Sequence, residues 1–212
     1  MRYKTVIFDL DGVICHTDHY HYLAWKQLAD KLGIYFDEAI NNRLRGVSRM
    51  ESLEIILEKW ESTPLTAEQK EQLAAEKNDV YTELLVNMSS KDLSAEVKTT
   101  LDILRARGIK LAIGSSSKNA RLILKQIGLE NYFDAISDGN NITYSKPHPE
   151  VFLKAAEYAA CAPEFCLVVE DAKAGINAAA SAGMHSVAIG DAYGYNLATY
   201  SITNFKGLVE IV

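Results

Sequence analysis

The feature that most constrains this chain is a recurrence of short apolar runs rich in β-branched residues, each too short for a helix and bounded by polar turns. They fall at Thr5–Phe8, Ile109–Ile113, Leu167–Val169 and Ser186–Ile189, with a weaker one near Ala135. From the second run onward helical patterns follow, at Ala120–Ile127, Glu150–Ala160 and Ala172–Ala182, the last closed by Gly183 as a C-terminal cap. Runs this apolar suit strands buried on both faces. Strands alternating with helices predict an α/β fold with a doubly wound, mostly parallel sheet. In such a sheet ligands bind outside the carboxyl ends of the strands, so the residues just past each run are the candidates for chemistry.

Between the first and second runs lie about a hundred residues, against the dozen or so that a crossover connection requires. The stretch reads as helical. Tyr20–Leu32 places Tyr22, Trp25, Leu28, Ala29 and Leu32 on one face, and Met50–Trp60 and Thr66–Leu85 follow. The spacing therefore predicts a small helical cap domain over residues 16–90, inserted into a catalytic core made of 1–15 and 91–212.

With 22 Lys and Arg against 28 Asp and Glu, the net charge of -6 leaves no basic field for nucleic acid or an anionic membrane. The apolar run ahead of the first acids is too short for a signal h-region or a membrane span, which predicts a cytoplasmic protein. Cys15, Cys161 and Cys166 are odd in number and lack zinc-ligand spacing, so they read as reduced thiols, Cys15 as a small buried filler. No glycine-rich nucleotide motif is present.

Four elements sit where the pattern puts ligands. Phe8-Asp9-Leu10-Asp11-Gly12-Val13 follows the first run, and two acids at a strand end call for a cation; oxygen ligands of this kind suit Mg²⁺. Gly114-Ser115-Ser116-Ser117-Lys118-Asn119 follows the second run and opens a helix. Its hydroxyls and N–H groups can hold phosphate oxygens, and equally can serve as ordinary N-caps. Lys146 lies in Ser145-Lys-Pro-His-Pro, and Glu170-Asp171 directly follows Leu-Val-Val.

In this order the four elements resemble the motifs of the haloacid dehalogenase superfamily of phosphotransferases. The resemblance implies that Asp9 is the nucleophile that becomes phosphorylated and that Asp11 acts as general acid and base. It implies Mg²⁺ held by Asp9, the Asp11 main-chain carbonyl and Asp171, with Glu170 supporting, and a transferring phosphoryl group bound by Ser115 and Lys146. A receiver domain of a signalling system also clusters acids around a phosphorylated aspartate, but the hundred-residue insertion and the Asp-x-Asp spacing argue against it.

Arg45-Gly46-Val47-Ser48-Arg49 resembles the Gly-Val-Ser-Arg segment of the β-phosphoglucomutase family. A mutase working through a bisphosphate must anchor the phosphate that is not reacting, and Arg49 can do so bidentately. Standing alone, Arg49 reads as a surface ion pair with Glu51 or Glu54. The resemblance makes Gly46, Val47, Ser48, Arg49 and Ser52 substrate contacts, joined from the core by Ser116, Ser117, Lys118 and Asn119. His21, Trp25 and Lys77 resemble the family's sugar-facing positions, and Thr17 with His21 would position Asp11 as the cap closes. The implied activity interconverts β-D-glucose 1-phosphate and D-glucose 6-phosphate through an aspartyl-phosphate enzyme and a 1,6-bisphosphate. The second reading is a hexose-phosphate phosphatase, and in either case the chain would act as a monomer on a small sugar phosphate. The sequence departs from the family at His16, where an acid is usual, at Ala95-Glu96, where Pro-Gly is usual, and at Ala172, where Ser is common.

Overall fold

The computed structural model describes residues 2–44 and 47–212. The chain divides into two compact units, one of residues 1–16 with 88–212 and one of 17–87.

The first unit holds a sheet of β1 (Thr5–Phe8), β2 (Lys110–Gly114), β3 (Ala135–Ser137), β4 (Cys166–Glu170), β5 (His185–Ala188) and β6 (Tyr200–Ser201) in the order β3-β2-β1-β4-β5-β6. Every pairing is parallel. The strand β1 is central and buried along its whole length because both its faces are covered. Its side chains alternate: Ile7 packs with Phe152 and Ala155, and with Ala178 and Ala179, while Phe8 points the other way and stacks on Phe205 at 5.8 Å between centroids. This alternation is what a doubly wound sheet requires, and it explains why the run carries no polar residue but Thr5. The sequence reading anticipated the strands except β6, whose two residues are too few to show a period.

In the order of the chain, the second unit contains α1 (Asp18–Lys31), α2 (Glu38–Asn42), α3 (Arg49–Leu57) and α4 (Ala67–Leu85). The helices of the first unit are α5 (Ala95–Ala106), α6 (Ala120–Gln126), α7 (Glu150–Tyr158), α8 (Lys173–Ser181) and α9 (Leu208–Ile211). In the second unit α3 and α4 open on capping boxes, Ser48 with Glu51 and Thr66 with Gln69, so each satisfies N–H groups that a helix start leaves orphaned. Trp25, Leu28 and Ala29 of α1 bury against Leu53 and Ile56 of α3 and Ala74 of α4, with Tyr22 and Leu32 at the edge of the cluster. No helix among the described residues is long and apolar enough to cross a membrane.

Candidate active site

Parallel strands deliver their last residues to one edge, and β1 and β4 are neighbours. The N–H of Asp9 donates to the Val169 carbonyl at 2.9 Å, continuing the ladder one residue past Phe8. The chain then turns sharply: Ile14 and Cys15 donate to the Leu10 carbonyl at 2.9 and 3.1 Å, and Gly12 donates to Cys15 at 2.7 Å. Gly12 takes φ +84°, and a Cβ there would lie 2.0 Å from an oxygen of Asp171. Only glycine permits both the left-handed backbone and the close approach of that carboxylate.

Asp9, Glu170 and Asp171 each offer a carboxylate oxygen within 4.8 Å of the other two. Lys146 reaches into the same space. Its side chain is 9% exposed, and its ammonium donates to Asp9 and to Glu170 at 2.5 Å each. The second Glu170 oxygen accepts the Ala172 N–H at 2.8 Å. Gly175, on the first turn of α8, leaves the room this needs, for a Cβ there would stand 1.8 Å from Glu170 Oε1.

The electrostatics follow from burying three acids with one base. Burial, and then repulsion from Asp9 and Glu170, pushes Asp171 up to about 8. Burial likewise raises Glu170, although Lys146 opposes the shift. For Lys146 burial acts to lower the pKa, but the combined pull of Asp9 and Glu170 outweighs it and holds the ammonium above its ordinary range. Ionised together, the carboxylates exceed the local positive charge. A cluster of hard oxygen donors short of positive charge is the donor set a divalent cation such as Mg²⁺ accepts. The Asp11 carboxylate lies outside this cluster, but its charge is felt at Asp171 and at the buried Cys15, whose thiol is pushed up chiefly by burial.

At the end of β2, Ser115 is buried and its N–H donates to Ser137 at 3.0 Å. Its hydroxyl accepts the Ser117 N–H at 3.2 Å, and Ser117 in turn accepts from Asn119 at 3.2 Å, which winds Ser115 to Asn119 into one polar turn ahead of α6. Among the described residues the buried Ser116 hydroxyl has no hydrogen-bond partner. Asn119 stands at the N-cap of α6, but its side chain does not cap the helix. Asn140 donates to the Lys118 carbonyl at 2.9 Å and ties the turn to the loop after β3.

Within the second unit a separate polar cluster forms on the facing sides of α1 and α4. Lys77 is buried, with its ammonium 2.8 Å from His21 Nδ1, 4.7 Å from the Trp25 ring centre and 4.6 Å from that of Tyr81. Since an ammonium can only donate, Nδ1 accepts and the neutral imidazole carries its proton on Nε2. Burial, followed by the charges of Lys77 and Arg49, drives the His21 pKa well below its usual value. His21 stacks on Tyr81 at 4.0 Å, and the Tyr81 hydroxyl donates to the buried Thr17 at 3.0 Å.

Arg49 opens α3, half-buried, and donates to the neutral amide oxygen of Asn78 at 2.7 Å. It does not form the ion pairs that its sequence neighbours suggested: Glu51 caps Ser48, and Glu54 pairs with Lys70 at 2.7 Å. Burial pulls the guanidinium pKa down, which marks a charge only partly compensated. Val47 is exposed, Ser48 is engaged as the helix cap and Ser52 is buried. Gly46 lies outside the described residues.

Sequence reasoning missed Gly175 and Tyr81. Tyr81 was findable, since it follows Lys77 by one helical turn just as His21 follows Thr17. Nothing local marks Gly175, whose role depends on a carboxylate brought from another element.

The family model for haloacid dehalogenase-like hydrolases matches residues 3–183. The chain is similar to a β-phosphoglucomutase of Bacillus subtilis, 42% identical over 188 residues covering 88% of this chain and 83% of that one. It is also similar to a phosphorylated carbohydrates phosphatase of Thermotoga maritima, 31% identical over 98% of this chain and 90% of that one. Among solved structures, a β-phosphoglucomutase from Clostridium difficile superposes with a TM-score of 0.88 at 40% identity, covering 97% of this chain and 93% of that one.

Proposed function

Because this chain belongs to the haloacid dehalogenase-like hydrolase family, we propose that it works as a magnesium-dependent β-phosphoglucomutase, a cytoplasmic monomer interconverting β-D-glucose 1-phosphate and D-glucose 6-phosphate. Phosphoryl transfer needs a nucleophile in line with the leaving oxygen and positive charge around the equatorial oxygens. The first role falls to Asp9 on this reading, supported by its burial at the strand end with one oxygen held by Lys146. In the phosphorylated enzyme, the sugar's 6-hydroxyl attacks the phosphorus on Asp9 while Asp11 takes its proton, giving the 1,6-bisphosphate. After the sugar turns end for end, Asp9 attacks the phosphorus at position 1 and Asp11 returns the proton to the leaving oxygen. Lys146 neutralises charge on the group in transit.

Mg²⁺ would be held by the carboxylates of Asp9, Glu170 and Asp171 and by the Asp11 main-chain carbonyl. When bound it supplies charge neutralisation between nucleophile and phosphate dianion. What Glu170 and Lys146 do is hold each other and Asp9 in register.

The observation that carries the mutase reading over the phosphatase reading is Arg49, a half-buried cation with a neutral partner, suited to a second phosphate. On this reading Ser115 binds the phosphoryl group in transit, and Ser116, Ser117, Lys118, Asn119, Val47 and Ser48 complete the second phosphate site. His21, Trp25, Ser52, Lys77 and Thr17 shape the sugar site. The test is phosphorus NMR of the purified chain with Mg²⁺, β-glucose 1-phosphate and a trace of bisphosphate. The expected product is the 6-phosphate with little inorganic phosphate, and Asp9→Asn abolishes it. Inorganic phosphate as the main product would establish a sugar phosphatase instead, in keeping with the Thermotoga similarity.

A further inference from the structure

The amino edge of the sheet, opposite the acids, carries chemistry that phosphoryl transfer does not use. Cys166 is the first residue of β4 and is fully buried, while Cys161 ends the loop from α7 and is partly open. The chain between them makes a tight turn, Phe165 donating to the Ala162 carbonyl at 3.0 Å. Both thiols converge on that same carbonyl, Cys161 Sγ at 3.6 Å and Cys166 Sγ at 3.5 Å, so one acceptor oxygen brings the two sulfurs to the same place. Beside Cys161 opens a cavity of about 490 Å³ with Lys4, Arg107 and Lys110 on its walls, and with Phe165 and Ile109 supplying apolar surface. All three cations are exposed, so an anionic reagent is drawn toward this thiol.

We propose that Cys161 and Cys166 are a reversible dithiol, closed to an intramolecular disulfide by a small anionic disulfide that enters this cavity. The steps balance by thiol–disulfide exchange. The Cys161 thiolate attacks one sulfur of the incoming disulfide, forming a mixed disulfide and expelling one thiolate. Cys166 then attacks Cys161 Sγ, its proton passing to a released thiolate, and the second small thiol leaves. Two protein thiols are oxidised and one disulfide is reduced to two thiols. Cys161 is the entry point because it is the open member of the pair; burial pushes the Cys166 thiol up to about 12 and makes it a poor first nucleophile. Cys15, 2% exposed and beyond the carboxyl end of β1, takes no part.

The test uses the whole chain with glutathione disulfide, followed by alkylation, intact mass and peptide mapping. The wild type should lose two hydrogens in mass, with Cys161 linked to Cys166 and with Cys15 alkylated only after unfolding. Cys166→Ser should stop at a glutathione adduct on Cys161, and Cys161→Ser should react at least about tenfold more slowly, as expected when the surviving thiol is mostly protonated. Three free thiols in the treated wild type would overturn the proposal. So would a glutathione adduct that persists in the wild type, or Cys161→Ser reacting as fast as wild type.

Discussion

Replacing Gly175 by alanine sets two physical effects against each other, and the structure says which wins. Gly175 lies inside α8, where alanine is ordinarily worth about 1 kcal/mol of added stability. The new Cβ, however, would stand 1.8 Å from Glu170 Oε1 and 2.0 Å from its carboxyl carbon, where ordinary contact begins at 3.4 Å. The carboxylate must therefore retreat by 3.4 − 1.8 = 1.6 Å. That displacement breaks the 2.5 Å bond to Lys146 or the 2.8 Å bond to the Ala172 N–H. Breaking a buried ion pair costs about 3–5 kcal/mol, so after the helical gain a net loss of about 2–4 kcal/mol remains. In a domain of this size that is a fall in Tm of about 4–16 °C. Lys146 and Asp9 lose their register as well, so kcat/KM for mutase turnover should drop by about a hundredfold or more, the scale of an ångström's misplacement. Thermal melts by circular dichroism and the coupled mutase assay give both readouts. Gly108→Ala is the control, because that glycine has φ +80° and nothing within 4 Å of a built Cβ, so only backbone strain is added. If Gly175→Ala were as stable as the parent and fully active, the packing of Glu170 against α8 would not be what positions the acids.

Other perturbations have equally definite outcomes. Lys146→Met leaves Asp9 and Glu170 buried beside each other without their cation, so in the presence of chelator the melting point should fall by an amount equivalent to about 3–5 kcal/mol, with activity lost. Arg49→Ala should lower kcat/KM for glucose 1-phosphate by about a hundredfold, the worth of a charged hydrogen-bonding partner, while the melting temperature stays nearly unchanged. His21 is held neutral, so below the ordinary histidine value of 6.5 the unfolded chain binds a proton that the folded chain refuses. Stability conferred by His21 is therefore complete above that value and falls as the pH drops through it, by about 1.4 kcal/mol per pH unit, until the depressed folded pKa is reached. Urea melts of wild type and His21→Asn between neutral and mildly acidic pH should converge as the pH falls; parallel curves would refute the burial argument.

The acids that matter were legible one by one, because Asp9, Glu170 and Asp171 each follow a run too apolar to be anything but a buried strand. The family motif added Lys146 and Ser115. Three helices of the core, α6, α7 and α8, and the three longer ones of the second unit were visible in the periodicity, whereas α5 and the four-residue α9 were not read from it. The five-residue α2 and two-residue β6 were not, since elements that short complete no period.

The sequence by itself determined the types of the longer elements, the parallel sheet and the edge at which the acids gather, since all three follow from local hydrophobic pattern and from the direction in which parallel strands run. Tertiary structure alone decided how the side chains there meet. A lysine before proline reads as solvated, yet Lys146 is buried between two carboxylates that lie 137 and 24 positions away in the chain. Lys77 reads as surface charge, yet it is buried against Trp25, Tyr81 and His21. Gly175 reads as a weak helical residue, yet its missing methyl group makes room for Glu170. Burial and charge compensation are properties of what packs around a residue, and the residues that do so here come from distant parts of the chain.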